Sequence, residues 1–487
     1  MRESLASLAL VFLLPALLLA QRGQSHERKP LAFTHVTVID ATGAPPKPDR
    51  TVVIAGGRIS VLDTSANLTP PQDAQVIDAT GKFLIPGLWD MHIHLDDPEM
   101  WPSLVSREEK EVIFPLLIAN GVTGVRDMAG SLEQLQQWKQ KIALGQMLGP
   151  RIVAAGPFVD GRPPRWLGSF SVSTEAEARD AVRGLYTRGA DFIKLYSRLP
   201  RPAFFGLADE AKKLGVVFVG HVQDLVSAAE VSDAGQKSME HLDGIMLACS
   251  SQEGAFRKEI ERGYAERRET IDPLVRGNPK VLSTYSGEKC ASLFARFVRN
   301  GTWQVPTLYN EWRHAHTTDR ALTDDARIRY YPKPFREYWK SVSLQDEKRL
   351  ERLARLKVYY EWLFKLVRDM HRAGVGILPG SDAGANEYSF AGFSLHDELA
   401  VFVQAGMTPM EALQTATLKP ARYLGMTDAF GTVEAGKIAD LVLLDANPLD
   451  EISNTRKIAA VIVNGRLVTK SEVRQMLAEA ESAASKK

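Results

Sequence analysis

The sequence has little cysteine, little net charge and, beyond its first twenty residues, no long hydrophobic run. Its 487 residues include two cysteines, Cys249 and Cys290, which are too few to form a disulfide framework for a chain of this length. They can form one bridge in an oxidising compartment or remain separate thiols, and the sequence leaves both open. The formal net charge of +1 gives no basic surface for nucleic acid or for an anionic membrane, so we expect no nucleic-acid partner.

The one long apolar run lies at the N-terminus, in residues 1–20. An early Arg2, an apolar stretch from Leu5 to Ala20 and small residues near its end are typical of a secretory signal peptide. An uncleaved anchor is the alternative, although the run is short for a membrane span. We therefore expect a secreted or periplasmic protein that has no stable membrane span once the signal is cleaved.

Two β-rich ends enclose a long middle segment. Residues 31–85 and 426–470 are rich in Val, Ile and Thr with Gly turns, which predicts one β-sandwich domain built from both ends of the chain. In residues 86–425, apolar strand candidates alternate with helical stretches, as expected for an α/β fold of the TIM (β/α)8 barrel type. The charged and aromatic residues 250–370 predict a helical insertion within this barrel, and residues 471–487 a C-terminal helix or tail.

Two histidines share one face of the first strand candidate of the middle segment. In "WDMHIHL", His92 and His94 are two residues apart, and side chains at that spacing on a strand point the same way. Imidazole is the commonest metal-binding side chain, so the pair can chelate an ion. Two surface histidines are the alternative unless further ligands join them.

Further candidate ligands follow later strand candidates. Lys194 lies in "ADFIKLY", His221 ends "VVFVGHV", His241 follows "KSME" and Asp382 follows "GILPGS". A barrel of this type averages about 31 residues per βα unit and builds its active site at the carboxyl ends of its strands, which suits these positions. Each residue has an ordinary alternative, because a lone lysine can snorkel, a lone histidine can lie in the core and a lone aspartate can cap a helix.

Several segments together resemble the metal-dependent amidohydrolase superfamily over nearly the whole mature chain. They are "PGLWDMHIH", "GVTGVRDM", "DFIKLY", "MEHL", "GSDAG", "GMTPMEALQTATLKPARYLG" and "GTVEAGKIADLVLLDANPL". The nearest subgroup is the imidazolonepropionase-like branch that includes Xaa-Pro dipeptidases. The resemblance implies a site for two divalent metal ions, usually zinc. The implied ligands are His92, His94 and Asp382 for the buried ion, His221 and His241 for the outer ion, and Lys194 as a carbamate that bridges both.

The resemblance also implies the reaction. Carbamylation would replace the buried cation of Lys194 with an anionic ligand that has two oxygens. Two close metal ions lower the pKa of a shared water and polarise a substrate carbonyl. Asp382 would take the proton from the resulting hydroxide and deliver it to the leaving amine. We expect hydrolysis of an amide C–N bond in a small molecule such as a dipeptide or an N-acyl amino acid, with an apolar group on one side.

Four residues are predicted to contact substrate. Tyr196 lies two positions after Lys194 on the same strand face, Tyr309 follows the seventh strand candidate, and Arg165 could bind a carboxylate. His396 could contact substrate or could instead orient a late helix.

Two other functions stay open. One is a mononuclear amidohydrolase with an unmodified Lys194, acting on a cyclic amide. The other is a non-catalytic binding relative. Association into a homo-oligomer is also left open.

Overall fold

A computed structural model describes residues 29–96, 112–166, 168–266, 277–343, 347–384 and 386–486. The signal peptide expected over residues 1–20 lies outside these ranges. In the described part of the chain the strands are β1 (Leu31–Val38), β2 (Lys47–Ala55), β3 (Arg58–Thr64), β4 (Gln75–Asp78), β5 (Phe83–Pro86), β6 (Leu88–Ile93), β7 (Val122–Asp127), β8 (Arg151–Ala154), β9 (Val159–Asp160), β10 (Phe170–Ser171), β11 (Ile193–Leu195), β12 (Phe218–Gly220), β13 (Ser238–Glu240), β14 (Trp303–Val305), β15 (Leu441–Leu444), β16 (Ile458–Val463) and β17 (Arg466–Thr469).

The helices lie mostly between the strands from β6 to β15. They are α1 (Ile113–Ala119), α2 (Leu132–Ala143), α3 (Glu175–Thr187), α4 (Arg201–Leu214), α5 (Ala228–Asp233), α6 (Ile245–Ala248), α7 (Glu253–Ala265), α8 (Pro279–Ser283), α9 (Gly287–Asn300), α10 (Leu308–Ala315), α11 (Arg320–Thr323), α12 (Lys333–Val342), α13 (Glu347–Arg372), α14 (Phe393–Gln404), α15 (Pro409–Thr415), α16 (Leu418–Leu424) and α17 (Lys470–Ser485). Short 3₁₀ helices span Ala326–Tyr330 and Ile452–Arg456.

Strands from both ends of the chain form one sheet. Its order is β17-β16-β15-β5-β1-β2-β3, with β4 beside β1, and the two ends meet where β5 pairs antiparallel with β15. The β2–β3 hairpin turns at Gly56 and Gly57, whose φ values of 56° and 76° suit a two-residue type I′ turn. Residues of β1 such as Phe33 and Val38 enter a core that the C-terminal strands complete, and the alternation of inward side chains shifts at an irregularity between Phe33 and Val36. The chain therefore enters and leaves its middle segment through this sheet.

The middle segment is built from parallel strands separated by helices, which confirms the predicted α/β class. The strands form a sheet in the order β6-β7-β8 and a second in the order β10-β9-β11-β12-β13-β14. Residues 376–383 run between β14 and β6: the Leu378 amide donates to the Gln304 carbonyl at 3.0 Å, and the Met91 amide donates to the Pro379 carbonyl at 2.9 Å. On the other side, the Asp191 amide donates to the Ala154 carbonyl of β8 at 2.9 Å.

The region predicted as an insertion, residues 250–370, is not wholly additional to the parallel sheet. It contains helices α7 to α13, but also β14, which pairs with β13 in the parallel sheet. This strand is the seventh strand candidate of the sequence, which Tyr309 follows, so the predicted insertion includes part of the predicted barrel. A disulfide joins Cys249 to Cys290, at the end of α6 and in α9. No helix within the described ranges combines the length and the apolar character needed to cross a membrane.

Candidate metal centre

His92, His94 and Asp382 come together at the end of β6. The His94 amide donates to the Ala383 carbonyl and the Asp382 amide donates to the His92 carbonyl, both at 2.8 Å, so residues 376–383 are held in register beside β6. Asp382 Oδ1 consequently lies 3.4 Å from His92 Nε2 and 3.2 Å from His94 Nε2. One ligand atom from each of the three buried residues lies within 4.8 Å of the others. This spacing fits one divalent ion.

His221 and His241 lie on the other side of His92. The ring centroid of His241 is 4.5 Å from that of His92 and 4.9 Å from that of His221. Gly220, before His221, has a φ of 135°, and a Cβ there would lie 2.1 Å from the Leu195 carbonyl oxygen, so only glycine lets β12 approach β11 this closely. Strands β6, β12 and β13 thus deliver four imidazoles to one place.

Hydrogen bonds at Nδ1 orient three of the rings. His221 Nδ1 lies 3.1 Å from Ser197 Oγ, and His241 Nδ1 hydrogen-bonds to Thr307 Oγ1 at 2.8 Å. His92 Nδ1 donates to Glu240 Oε2 at 2.8 Å. Partners at the second ring nitrogen fix the orientation of metal-binding histidines, and this pattern is typical of a metal site.

Lys194 is buried among these residues without a hydrogen bond. Its Nζ and His92 Nε2 are enclosed and have no hydrogen-bond partner among the described residues. Burial lowers the pKa of Lys194 to about 8, against the opposing effect of carboxylates that include Glu240. Burial also lowers the pKa of His92 to about 3, which keeps its imidazole neutral, the form that binds metal. Buried nitrogens left unsatisfied by the protein fit a bound divalent ion and a modified lysine.

Arg126 and Glu240 form a buried ion pair that contacts strand β6. Arg126 Nη2 lies 3.0 Å from both Glu240 oxygens, and Arg126 Nε donates to the Met91 carbonyl at 2.6 Å. Arg126 therefore ties β6, β7 and β13 together. Burial alone would raise the pKa of Glu240, but Arg126 and His92 outweigh burial and hold that pKa well below its usual range. The ionised Glu240 can then accept the hydrogen bond that His92 Nδ1 donates.

Helix α10 contacts the site from the end of β14. Asn310 Nδ2 donates to Asp382 Oδ2 at 2.8 Å. The start of the helix is held by Glu398, which accepts from the Leu308 amide at 2.9 Å and from the Tyr309 amide at 2.6 Å. Burial raises the pKa of Glu398 to about 8 in spite of these two donors. The sequence reasoning missed Asn310 and Glu398, as well as Glu240 and Thr307. For Glu240, its place directly before His241 was an available signal.

Two of the predicted substrate contacts lie at an aromatic group beside the histidines, formed by Phe158, Trp166 and Tyr196. Tyr196 is part of this group, and Arg165 lies beside it. The half-buried Tyr196 ring has its centroid 4.2 Å from that of His221 and 5.2 Å from that of Phe158, which in turn is 6.1 Å from His94. Arg165 is exposed, and its guanidinium lies 5.6 Å from the Trp166 ring centroid. The Trp166 ring is 6.3 Å from that of Tyr196.

Tyr309 and His396 are engaged within the protein. Tyr309 is buried and stacks on Trp312 at 5.5 Å, and its hydroxyl accepts from Arg327 at 3.3 Å. His396 is 1% exposed. Its Nδ1 hydrogen-bonds to Thr455 Oγ1 at 2.9 Å and its Nε2 to the Asn120 carbonyl at 3.0 Å. Both ring nitrogens are therefore engaged within the protein, and these contacts favour the alternative in which His396 orients helix α14.

Comparisons with known proteins show which family and which fold the chain resembles. Residues 364–468 match the amidohydrolase family. A probable imidazolonepropionase of Xenopus laevis is 34% identical over 110 residues, which cover 22% of this chain and 25% of that protein. The matched segment thus spans about a quarter of the length of this curated relative.

Two solved structures share the fold over most of the chain. A Xaa-Pro dipeptidase with bound methionine in the active site has a TM-score of 0.66 at 20% identity and covers 90% of this chain and 100% of that one. A bottromycin amidohydrolase has a TM-score of 0.70 at 22% identity and covers 94% of this chain and 92% of that one. These likenesses extend the fold agreement far beyond the 364–468 segment. The resemblance found in the sequence is thus confirmed as a match of residues 364–468 to the amidohydrolase family, in a chain whose fold is shared by a Xaa-Pro dipeptidase and an amidohydrolase.

Proposed function

We propose that this protein is a metal-dependent hydrolase that cleaves the amide C–N bond of a dipeptide or an N-acyl amino acid. The observation that carries the proposal is the burial of Lys194 Nζ and His92 Nε2 where four histidines and Asp382 converge, with no hydrogen-bond partner for either nitrogen among the residues that the structure describes. A protein gains nothing in stability from an unpaired buried amine, so the arrangement is best explained by a ligand that completes it. We further propose that the parallel strands form a closed (β/α)8 barrel, supported by the hydrogen bonds of residues 376–383 to β14 and β6.

The proposed ligands are those of the sequence analysis. His92, His94 and Asp382 would hold one ion, His221 and His241 a second, and a carbamylated Lys194 would bridge them; zinc suits such nitrogen and oxygen donors. Divalent ions bound here would supply an activated water and a polarised substrate carbonyl. Neutral Lys194 would add carbon dioxide at Nζ, lose one proton and become a carbamate. The low pKa of Lys194 supports this step because it enlarges the neutral fraction.

Two carboxylates of the chain, Asp382 and Glu240, would transfer or hold the protons that the reaction requires. Asp382 would accept a proton from the attacking water on its carboxylate and return it to the nitrogen of the leaving amine. Glu240 would keep the Nδ1 proton of His92 in place, so that Nε2 presents a lone pair. Both roles need ionised carboxylates, and the low pKa of Glu240 supports the second.

The aromatic group beside the histidines supports an apolar substrate. Phe158 lies next to His94 and Tyr196 next to His221, so an amide that reaches the histidines brings its neighbouring side chain close to these rings. Aromatic rings bury large apolar area with few rotamers to fix. Arg165, exposed beside Trp166, is the proposed contact for a substrate carboxylate. By sequence pattern we also propose that residues 1–20 direct export.

A second candidate is a mononuclear hydrolase that acts on a cyclic amide. One observation favours it: His92, His94 and Asp382 alone form a compact three-ligand group, within 4.8 Å. Metal analysis separates the two candidates. About two ions per chain, with activity lost on Lys194→Ala, supports the binuclear site, whereas about one ion and bicarbonate-independent activity supports the mononuclear one.

The direct test is hydrolysis by the metal-loaded protein on a panel of dipeptides and N-acyl amino acids with apolar side chains. Asp382→Asn should abolish turnover. Asp397→Asn is the matched control, because Asp397 pairs with Arg327 and Arg456 rather than with a proposed ligand, and it should keep turnover. A metal-loaded wild type that is inert on the whole panel would rule out this substrate class. Full activity of Asp382→Asn would show that the proposed chemistry is misplaced.

A further inference from the structure

The segment that follows β14 contacts two proposed metal ligands: Thr307 hydrogen-bonds to His241, and Asn310 donates to Asp382. The second contact defines a role that the proposed function does not include. We infer that Asn310 is a positioning residue for Asp382, and that Arg313 acts through Asn310 by fixing which end of its amide faces the carboxylate. The inference rests on the proposed metal site, in which Asp382 is a ligand.

The two oxygens of Asp382 have different surroundings. Oδ1 faces the imidazoles, 3.2 Å from His94 Nε2 and 3.4 Å from His92 Nε2. Oδ2 accepts the hydrogen bond from Asn310 Nδ2 at 2.8 Å. Asn310 is 2% exposed, so this bond is shielded from water. A hydrogen bond to Oδ2 alone prevents rotation of the carboxylate and keeps Oδ1 directed at the histidines.

Arg313 makes the orientation of the Asn310 amide unambiguous. Arg313 Nη2 donates to Asn310 Oδ1. An ionised carboxylate only accepts hydrogen bonds and a guanidinium only donates them, whereas an asparagine amide has one end of each kind. The opposite orientation would set two acceptors against each other at Asp382 and two donors against each other at Arg313. The chemistry of the two partners therefore determines which end of Asn310 meets Asp382.

Arg313 acts inside the protein rather than on substrate. Its side chain is completely buried, and its Nε and Nη1 have no hydrogen-bond partner among the described residues and no exposed surface through which a ligand could reach them. Its charge lies in the field of Glu387, Glu311 and Asp382. A buried cation with one hydrogen bond, to Asn310, serves mainly to orient that amide.

The test measures metal affinity of the metal-free protein by competition with a chromophoric zinc chelator, so it does not depend on turnover. Asn310→Leu has nearly the same volume and removes the donor to Oδ2. It should weaken zinc binding roughly 10- to 100-fold, as expected for the loss of a partner that orients a ligand. Asn386→Ala is the control. Asn386 donates to the main-chain carbonyl of Asp382 at 2.9 Å, and its loss should change affinity much less.

Arg313 is tested through its dependence on Asn310. Arg313→Met should weaken zinc binding, and Arg313→Lys, which keeps a donor-only cation, should recover part of the loss. If Arg313 acts through Asn310, the double variant Asn310→Leu with Arg313→Met should bind zinc no more weakly than Asn310→Leu alone. Thermal unfolding of each metal-free variant verifies folding, and only variants that unfold cooperatively are compared.

Two results would overturn the inference: wild-type zinc affinity in Asn310→Leu, or losses that simply add in the double variant. Failure of the proposed function looks different. In that case the wild type itself binds no zinc, or Asp382→Ala binds it as well as the wild type does.

Discussion

Replacing Lys194 with methionine should stabilise the metal-free protein at neutral pH and, at the same time, abolish the binding of a second ion. Methionine fills nearly the same volume and has no charge. The wild-type amine is buried and has no hydrogen-bond partner in the described ranges, so the folded state carries the cost of an unsolvated cation. Buried charges replaced by apolar side chains of similar size often stabilise a fold.

The pKa shift of Lys194 sets the size of this effect. Burial lowers the pKa from 10.5 to about 8, and at 1.36 kcal/mol per unit this is about 3 kcal/mol. The unfolded chain holds the proton more tightly, so stability rises with pH between about 8 and 10.5 and the full cost applies below pH 8. Lys194→Met lacks this dependence. Its advantage should therefore be largest near pH 7 and should shrink toward zero near pH 10.5.

Urea unfolding at pH 7 and pH 10 measures the effect on chelator-treated protein. Buffers are kept free of carbon dioxide, since carbamylation would remove the positive charge. We expect the variant to exceed the wild type in free energy of unfolding at pH 7 and to lose most of that lead at pH 10. A variant that is less stable at pH 7, or a difference that does not change with pH, would refute the reasoning.

Two further predictions concern buried links around the site, and a third concerns the disulfide. Glu240→Gln should lower zinc affinity roughly 10- to 100-fold in the chelator assay because His92 loses its charged partner. Arg126→Met should destabilise the fold by about 3–5 kcal/mol in urea unfolding, since it leaves the Glu240 carboxylate buried and unpaired; a loss below 1 kcal/mol would contradict that pairing. Replacing Cys249 and Cys290 together with alanine should cost about 4 kcal/mol by chain entropy for a separation of 41 residues, and reduced wild type should then match the variant.

Several parallel strands could be predicted because each is a short apolar run directly followed by a chemically distinctive residue, such as His221 after β12 and His241 after β13. His92 and His94 share a strand face by the pleat alone, and their hydrogen bonds to residues 382 and 383 agree with a neighbouring strand ending at Asp382. The antiparallel partnership of β5 and β15 was accessible in the same way, from matching composition at the two ends of the chain. Periodicity and composition carry this kind of information because they reflect burial on one face.

The contribution of α10 could not be predicted for a physical reason. Strand β14 was identified as a strand candidate, but helix α10 after it lies in a region whose composition is dominated by charged helices, so the sequence does not distinguish α10 from its neighbours. Asn310 becomes significant only when residues 376–383 bring Asp382 beside it, 72 positions later. Side-chain hydrogen bonds between distant segments leave no periodic trace. The hydrogen bonds of His396 could not be predicted for the same reason, because its partners Asn120 and Thr455 lie on distant segments of the chain.

The three buried cations around the site are held in different ways, and this difference singles out Lys194. Arg126 is paired with Glu240, and Arg313 donates to Asn310. Both guanidiniums keep their charge at any physiological pH because an arginine does not lose its proton in proteins. Lys194 Nζ has no hydrogen-bond partner in the described part of the chain, and its pKa is lowered to about 8. It is therefore the one cation of the three that can become neutral and then react, as the proposed carbamylation requires.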